Sequence, residues 1–468
     1  MKIELPQTLQ ETLTTSHLIN SAATQAANLI SKGRAVSLTA AISGKIFSQI
    51  KYLNISYSGE LQIALYTWLP SFVSLGLTPD IPEPILKEIP ERHVPYVFKK
   101  YDVPSSFLVS FWENLGIVVF AAILWMLLKG LELLLNPKTV KLPRKVRVLV
   151  QNFLITALFG VYGDLILFSV LEYRTLQFGW NLSLLSFLIS ITLFIAMFIS
   201  FYFQFRLLLN YQRIKKQELA SSASNKASKL LEKFTRDHEG SQVLFKDFKD
   251  YSLVPQLFFF LLCSRDLVFS FILATMFEYP LAQTIIITLL DCLMIAYLFI
   301  KRPFKSSFDA AQQYFFEFIT LIVNATVLIN AILDTGEYQA FQARKNIGKI
   351  IIIANMIFNF VTAIFMLIAI FQVLIEFYRE EKQKRAKKLI TLKTVNQLQR
   401  LPPHANPRKD RTEQSFIQDS VAIDQNLETS YQNLLPTLRK RSIKKYKPRR
   451  LQRFPNKVQS SHQNDNEP

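Results

Sequence analysis

Glycine is scarce in this chain, at 12 of 468 residues, against an ordinary share of about 7%. That leaves little material for loops that cradle phosphates, and no GxGxxG, P-loop or GxSxG is present. The five histidines, His17, His93, His238, His404 and His462, all fall in polar segments. No histidine pair is therefore available inside an apolar run, which excludes intramembrane zinc peptidases and transmembrane cytochromes. Only two cysteines occur, Cys263 and Cys292, both within apolar runs. They supply no disulfide framework and no reading of the redox compartment. Without a histidine, metal or nucleophile beside the acidic residues there is no catalytic constellation, so neither an enzymatic activity nor a cofactor is expected.

What the chain does have is apolar sequence, 50% of it, gathered into runs separated by charged segments. Seven runs approach the roughly 20 residues that cross a bilayer as a helix: Phe107–Leu128, Val148–Leu171, Leu182–Phe205, Leu253–Phe277, Leu281–Ile300, Phe315–Leu333 and Ile350–Leu374. Each is apolar around most of its circumference, as where lipid covers one side and a neighbouring helix the other. Strands would alternate and be half as long. The expected fold is all-α, a polytopic membrane protein with seven transmembrane helices.

Lysine and arginine set its orientation, because cytoplasmic loops retain positive charge. The first, third and fifth connections hold 6, 10 and 3 of these residues, and the second, fourth and sixth hold 1, 0 and 3. From Arg379 onward the tail carries 21 Lys and Arg against 9 Asp and Glu. The tail and odd connections are thus expected in the cytoplasm and the N-terminus outside it, in a plasma membrane or endomembrane. An outside N-terminus needs a way across, and Met1-Lys-Ile-Glu-Leu-Pro6 has no apolar core for a signal peptide. Either the first span acts as a reversed anchor or the sequence is the C-terminal part of a longer precursor, and the second is the expectation. The sequons at Asn54 and Asn181 fall on the expected outer side and are candidate glycosylation sites. A third, Asn324-Ala-Thr326, lies within a span and should be unused.

The organisation that follows has five parts. Residues 1–106 form an N-terminal extramembrane region, with amphipathic helices before residue 60, strand formers in Lys51-Tyr-Leu-Asn-Ile-Ser-Tyr57 and a packed loop through Pro79, Pro82, Pro84, Pro90, Pro95 and Pro104. Residues 107–205 hold the first three spans, 206–252 a cytoplasmic connection with an amphipathic helix near Leu230, and 253–378 the last four spans. Residues 379–468 are a basic tail, helical at its start and disordered beyond about Leu401. Within the tail Arg439, Lys440, Arg441, Lys444, Lys445, Lys447, Arg449, Arg450 and Arg453 pack nine positive charges into fifteen residues. At an anionic inner leaflet each would contribute about 1 kcal/mol, so anionic lipids are an expected partner besides the bilayer itself. The plainer reading is that the cluster fixes topology and solubility. A chain held by seven spans is not expected to bind nucleic acid.

Ionisable residues inside spans carry the most information, because each costs about 2.5–3.5 kcal/mol at a helix centre unless paired or wetted. Asp164 lies in the second span, Arg265 and Asp266 in the fourth, Asp291 in the fifth and Glu317 in the sixth, which also holds Asn324 and Asn330. Asn355 and Asn359 give the seventh span a polar face. Arg265 sits at the middle of a helix about 37 Å long, beyond easy reach of either surface. It needs a carboxylate, and because Asp266 points about 100° away the candidates are Asp291 and Asp164. The plainer role for Asp164, Arg265, Asp266 and Asp291 is to lock the bundle, and the functional one is gating. Glu317, Asn324 and Asn330 are the candidates for an ion path.

Tyr101-Asp-Val-Pro-Ser-Ser-Phe-Leu-Val-Ser-Phe-Trp-Glu-Asn-Leu115, Lys51-Tyr-Leu-Asn-Ile-Ser-Tyr57 and Lys301-Arg-Pro-Phe-Lys305 together resemble the C-terminal membrane module of large ciliate surface proteins. That module is similar to the fungal transient-receptor-potential-like, polycystin-related family. The resemblance covers roughly residues 40–378. It implies a cation channel subunit, assembled as a homo-oligomer, with its conducting core in spans four to seven. The chain departs from the pattern where Gln313-Tyr-Phe-Phe-Glu317 stands after the Arg-Pro-Phe loop, and it lacks the Cys-rich region that usually precedes the module. A seven-span receptor and a non-transporting membrane scaffold are the alternatives. Against a receptor, the third span ends in Phe205-Arg-Leu-Leu-Leu-Asn210, with no Asp-Arg-Tyr-like signature.

Overall fold

The computed structural model describes residues 7–30, 35–68, 94–134, 141–176, 182–220, 225–336 and 341–399. Among them the regular structure is helical, with no strand and one isolated antiparallel bridge between Phe248 and Phe304. In chain order the helices are α1 (Gln7–Ile30), α2 (Ala35–Gln49), α3 (Gly59–Thr67), α4 (Tyr96–Lys99), α5 (Phe107–Leu134), α6 (Lys141–Arg174), α7 (Leu182–Ala220), α8 (Asn225–Asp237), α9 (Leu253–Gln256), α10 (Phe258–Thr275), α11 (Pro280–Lys301), α12 (Ser307–Thr335) and α13 (Phe341–Gln399). Short 3-10 turns at Ile50–Tyr52 and Glu239–Leu244 complete the regular structure. The strand formers at Lys51–Tyr57 thus make a 3-10 turn followed by extended chain.

Seven of these helices are long and apolar enough to cross a membrane. They are spans one to seven in order: α5, α6, α7, α10, α11, α12 and α13. The helix pattern is that of a multi-pass membrane protein. Specific local contacts fix several of their ends. Span six begins at Ser307 because the Ser306 hydroxyl accepts from the backbone N–H groups of Phe308 and Asp309. Span one begins at Phe107 because its N–H donates to the buried Glu172 carboxylate at 2.6 Å, and that of Leu108 donates to Ser186. Span five ends at Lys301, where Arg302 turns left-handed and Pro303 cannot continue the helix. That Arg-Pro-Phe loop is pinned to the third connection by Lys249 N–H to Pro303 O and Lys305 N–H to Asp247 O.

Span two is the axis of the bundle. Its most apolar window is 83% buried, against 11% for span one and 22% for span three. It packs against spans one, three and four, and its Phe159 ring meets Phe259 at 4.5 Å. Spans one and three turn Phe120, Leu127, Phe198 and Phe203 outward, the surface lipid would cover. Because lipid is as apolar as leucine, close packing and polar contacts rather than the hydrophobic effect hold the spans to one another.

The N-terminal helices pack against the spans. Residues 7–68 belong to the same compact unit as the spans, Met1–Lys382. Helix α2 is inserted among spans two, four and six, and its ring Phe47 lies 4.7 Å from Phe358 of span seven. Leu38, Ile42, Ile46 and Phe47 are all buried. A Cβ on Gly44 would stand 3.3 Å from Phe358, so α2 reaches span seven through a residue with no side chain. Helix α1 packs on α2 and on span two. The second unit, Gln383–Pro468, includes the end of α13. Asn181 and the basic cluster from Arg439 to Arg453 lie outside the described residues.

Candidate functional site

The intramembrane charges gather into two clusters. The first is built by Arg265 of span four, which reaches Asp291 of span five at 3.4 Å through Nη1 and also bonds Glu317 of span six through the same nitrogen. Asn324 donates to the other oxygen of Asp291 at 2.6 Å, and Gln313 to Glu317 at 2.8 Å. All five side chains are buried. Burying an arginine here is tolerable only because two carboxylates face it, and those carboxylates only because amide donors take their remaining lone pairs. The guanidinium is not exhausted: Nε and Nη2 have no hydrogen-bond partner among the described residues.

The second cluster centres on Lys45 of α2, which the sequence reading did not single out. Its ammonium touches the Gly160 carbonyl at 3.2 Å, Asp164 of span two at 3.2 Å and Asp266 of span four at 3.3 Å. Three acceptors match the three protons of an ammonium. Gln49, one turn further along α2, donates to Asp164 at 3.0 Å, and Asn114 of span one reaches its other oxygen at 3.5 Å. Gly160, Asp164 and Asp266 lie near the middles of their spans, so α2 carries Lys45 to that same depth. Gly163 makes this possible, since a Cβ there would lie 2.4 Å from the Asp266 carboxylate.

Arg265 and Asp266, adjacent in sequence, therefore serve different clusters, as their 100° separation around the helix requires. Asp164 is tied to Lys45 rather than to Arg265. Glu317, expected on an ion path, is bonded to Arg265. Asn330 donates to the Ser56 carbonyl at 3.2 Å. In span seven, Asn359 donates to Asn355 and accepts from Asn20 of α1 at 2.8 Å, so α1 as well as α2 is joined to the spans by polar groups. The sequon residue Asn54 donates its amide to the Phe277 carbonyl at the end of span four.

Lys45, Gln49 and Asn20 escaped sequence reading because α2, with 15 residues, is too short to register as a span and α1 is too polar. One signal was present: Lys45 is the lone charge between Arg34 and Lys51, in a stretch of Ala, Ser, Thr and Gly. Such small residues let helices approach closely inside membranes.

Span six, which supplies Glu317 and Asn324 to the Arg265 cluster, carries a buried polar stripe. Asp309, Gln312, Gln313, Glu317, Thr320, Asn324 and Asn330 are all buried along it. From Asp309 to Asn330 this polar stripe extends about 31 Å, the depth of a hydrocarbon core. Helix α2 lies against span six, alongside the stripe. No group of three or more His, Cys, Asp or Glu fit to hold a metal occurs among the described residues. Compared with family models, curated proteins and solved structures, the chain finds no match.

Proposed function

We propose that the chain is a cation channel subunit whose path runs along the polar face of span six, and that the α1–α2 pair is its plug. The observation that carries this reading is the stripe itself. A span that only packs against neighbours needs no polar side chain at every turn, and each costs stability in a bilayer. The charge balance supports cations, since Asp164, Asp266, Asp291 and Glu317 face Lys45 and Arg265, four carboxylates to two bases. Polar atoms on the stripe that lack a partner among the described residues, including Thr320 Oγ1 and Asn324 Oδ1, are what water or an ion would satisfy. The resemblance to polycystin-related channels points the same way and implies a symmetric homo-oligomer, while the basic tail supports a cytoplasmic C-terminus.

On this reading α2 occupies the path, and conduction requires it to move. The test is recording in planar bilayers under asymmetric salt with the purified full chain, beside Lys45→Met, which unties the plug, and Thr320→Leu, which blocks the stripe between Glu317 and Asn324 without removing a charge. Cation-selective unitary currents are expected, with more open time in Lys45→Met and less current in Thr320→Leu. Silence of wild type and Lys45→Met across voltage, calcium and tension would sink the channel reading.

A further inference from the structure

Where spans four and six finish, the chain leaving α2 folds against α4 and the residues after it, enclosing a cavity of about 240 Å³. Lys51, Asn54, Tyr57, Lys100, Tyr101 and Asp334 line it. Its charge is lopsided. Asp334 is already engaged by Arg344 at 3.0 Å and by the Ser56 N–H at 3.1 Å. Neither Lys51 nor Lys100 has a carboxylate within 4 Å among the described residues.

Lys51 is 6% exposed, yet its ammonium has one protein acceptor, the Trp68 carbonyl at 3.3 Å. The rings of Tyr52 and Tyr101 lie 5.3 and 6.0 Å from it, weak partners for a cation taken out of water. Burial pushes the Lys51 amine down to about 8, outweighing the opposing pull of the Asp164 charge, and pushes that of Lys100 down as well. The Tyr101 hydroxyl, 9% exposed, has no hydrogen-bond partner among the described residues. A buried phenol without a partner and a buried ammonium with two protons to give converge on one small space, and both are donors.

We propose that this cavity binds an oxyanion, the carboxylate or phosphate group of a small ligand, held by the ammonium of Lys51 and the hydroxyl of Tyr101 with Lys100 adding charge. An anion there would give Lys51 a carboxylate or phosphate in direct contact and satisfy the orphaned hydroxyl in one step. This site is independent of the channel reading. A free solute and a lipid headgroup present the same chemistry, and the test separates them.

The full chain is placed in nanodiscs of phosphatidylcholine and titrated calorimetrically with inorganic phosphate and, separately, with acetate. In a parallel arm its thermal stability is compared in nanodiscs with and without phosphatidic acid. Saturable binding of a free anion is expected, weakened about tenfold or more in Lys51→Met and about threefold in Tyr101→Phe. The exposed Lys129→Met serves as control and should match wild type. Stabilisation by phosphatidic acid alone, lost in Lys51→Met, would assign the oxyanion to a headgroup. Absence of binding in every arm, or binding unchanged in both Lys51→Met and Tyr101→Phe, would overturn the proposal. Should Lys51→Met fail to yield monodisperse protein, Tyr101→Phe, which keeps the ring, decides alone.

Discussion

The two charge clusters solve the same problem with different parts. Around Arg265 the base and both carboxylates come from spans four, five and six, helices that are apolar enough to be held by the bilayer whether or not they pair. Around Lys45 the carboxylates come from spans two and four, but the base arrives on α2, a 15-residue helix that is not among the seven spans. One cluster is a lock between fixed members. On the proposed channel reading the other is a latch between the spans and a plug, and that reading requires the latch to open without dismantling the bundle.

The sharpest way to break that contrast is to remove each base in turn. Arg265→Leu strands Asp291 and Glu317 with no cation in the interior of three spans that cannot part. Removing one partner of a buried pair costs about 3–5 kcal/mol, a large share of the roughly 5–15 kcal/mol that holds a typical fold. The expected result is loss of most monodisperse protein on size exclusion. Adding Asp291→Asn and Glu317→Gln to Arg265→Leu should restore part of it, because the stranded charges are then gone. Purely additive losses would show that the three residues are not coupled.

Lys45→Met should be milder for the spans and severe for the insert. Asp164 and Asp266 lose their base, but α2 can withdraw and admit water, which the fixed spans cannot do. Hydrogen exchange should then show protection of α1 and α2 amides falling about a hundredfold or more, the equivalent of about 3 kcal/mol, with spans two and four changed little. If spans two and four lost protection as deeply as α2, the insert would be as integral as a span and the contrast would fail.

The same contrast explains what the sequence disclosed. Spans were legible because a bilayer demands about 20 apolar residues in a row, and all seven runs became helices. A partner for Arg265 was legible because an arginine in mid-span must have one, and Asp291 stood on the next helix. Lys45 was not legible, since α2, at 15 residues, is too short to read as a span and no rule of hydropathy says that a short helix will be enclosed by long ones. Glu317 was legible as important but not as to its partner: its position at the start of an apolar run indicated a lining residue, whereas the true start of the helix, at Ser307, puts it well inside beside Arg265. Depth within the bundle, rather than residue type, was the missing quantity.

The smallest effect sharpens the distinction most. Asn20 of α1 donates to Asn359 of span seven at 2.8 Å, a neutral contact between insert and frame far from both clusters in sequence. Polar pairs of this kind between membrane helices contribute about 0.6 kcal/mol on average. Asn20→Ala should therefore raise the opening equilibrium of α1 about threefold, read as faster amide exchange in α1, while yield and the protection of span seven stay at the wild-type level. Combined with Lys45→Met, the two changes act on one movable body through separate contacts. If α1 and α2 leave together, both changes raise α1 exchange and their effects add in free energy. If each helix opens by itself, Lys45→Met leaves α1 exchange at the wild-type level. A greater loss of α1 protection from Asn20→Ala than from Lys45→Met would move the latch from the Lys45 cluster to the asparagine pair.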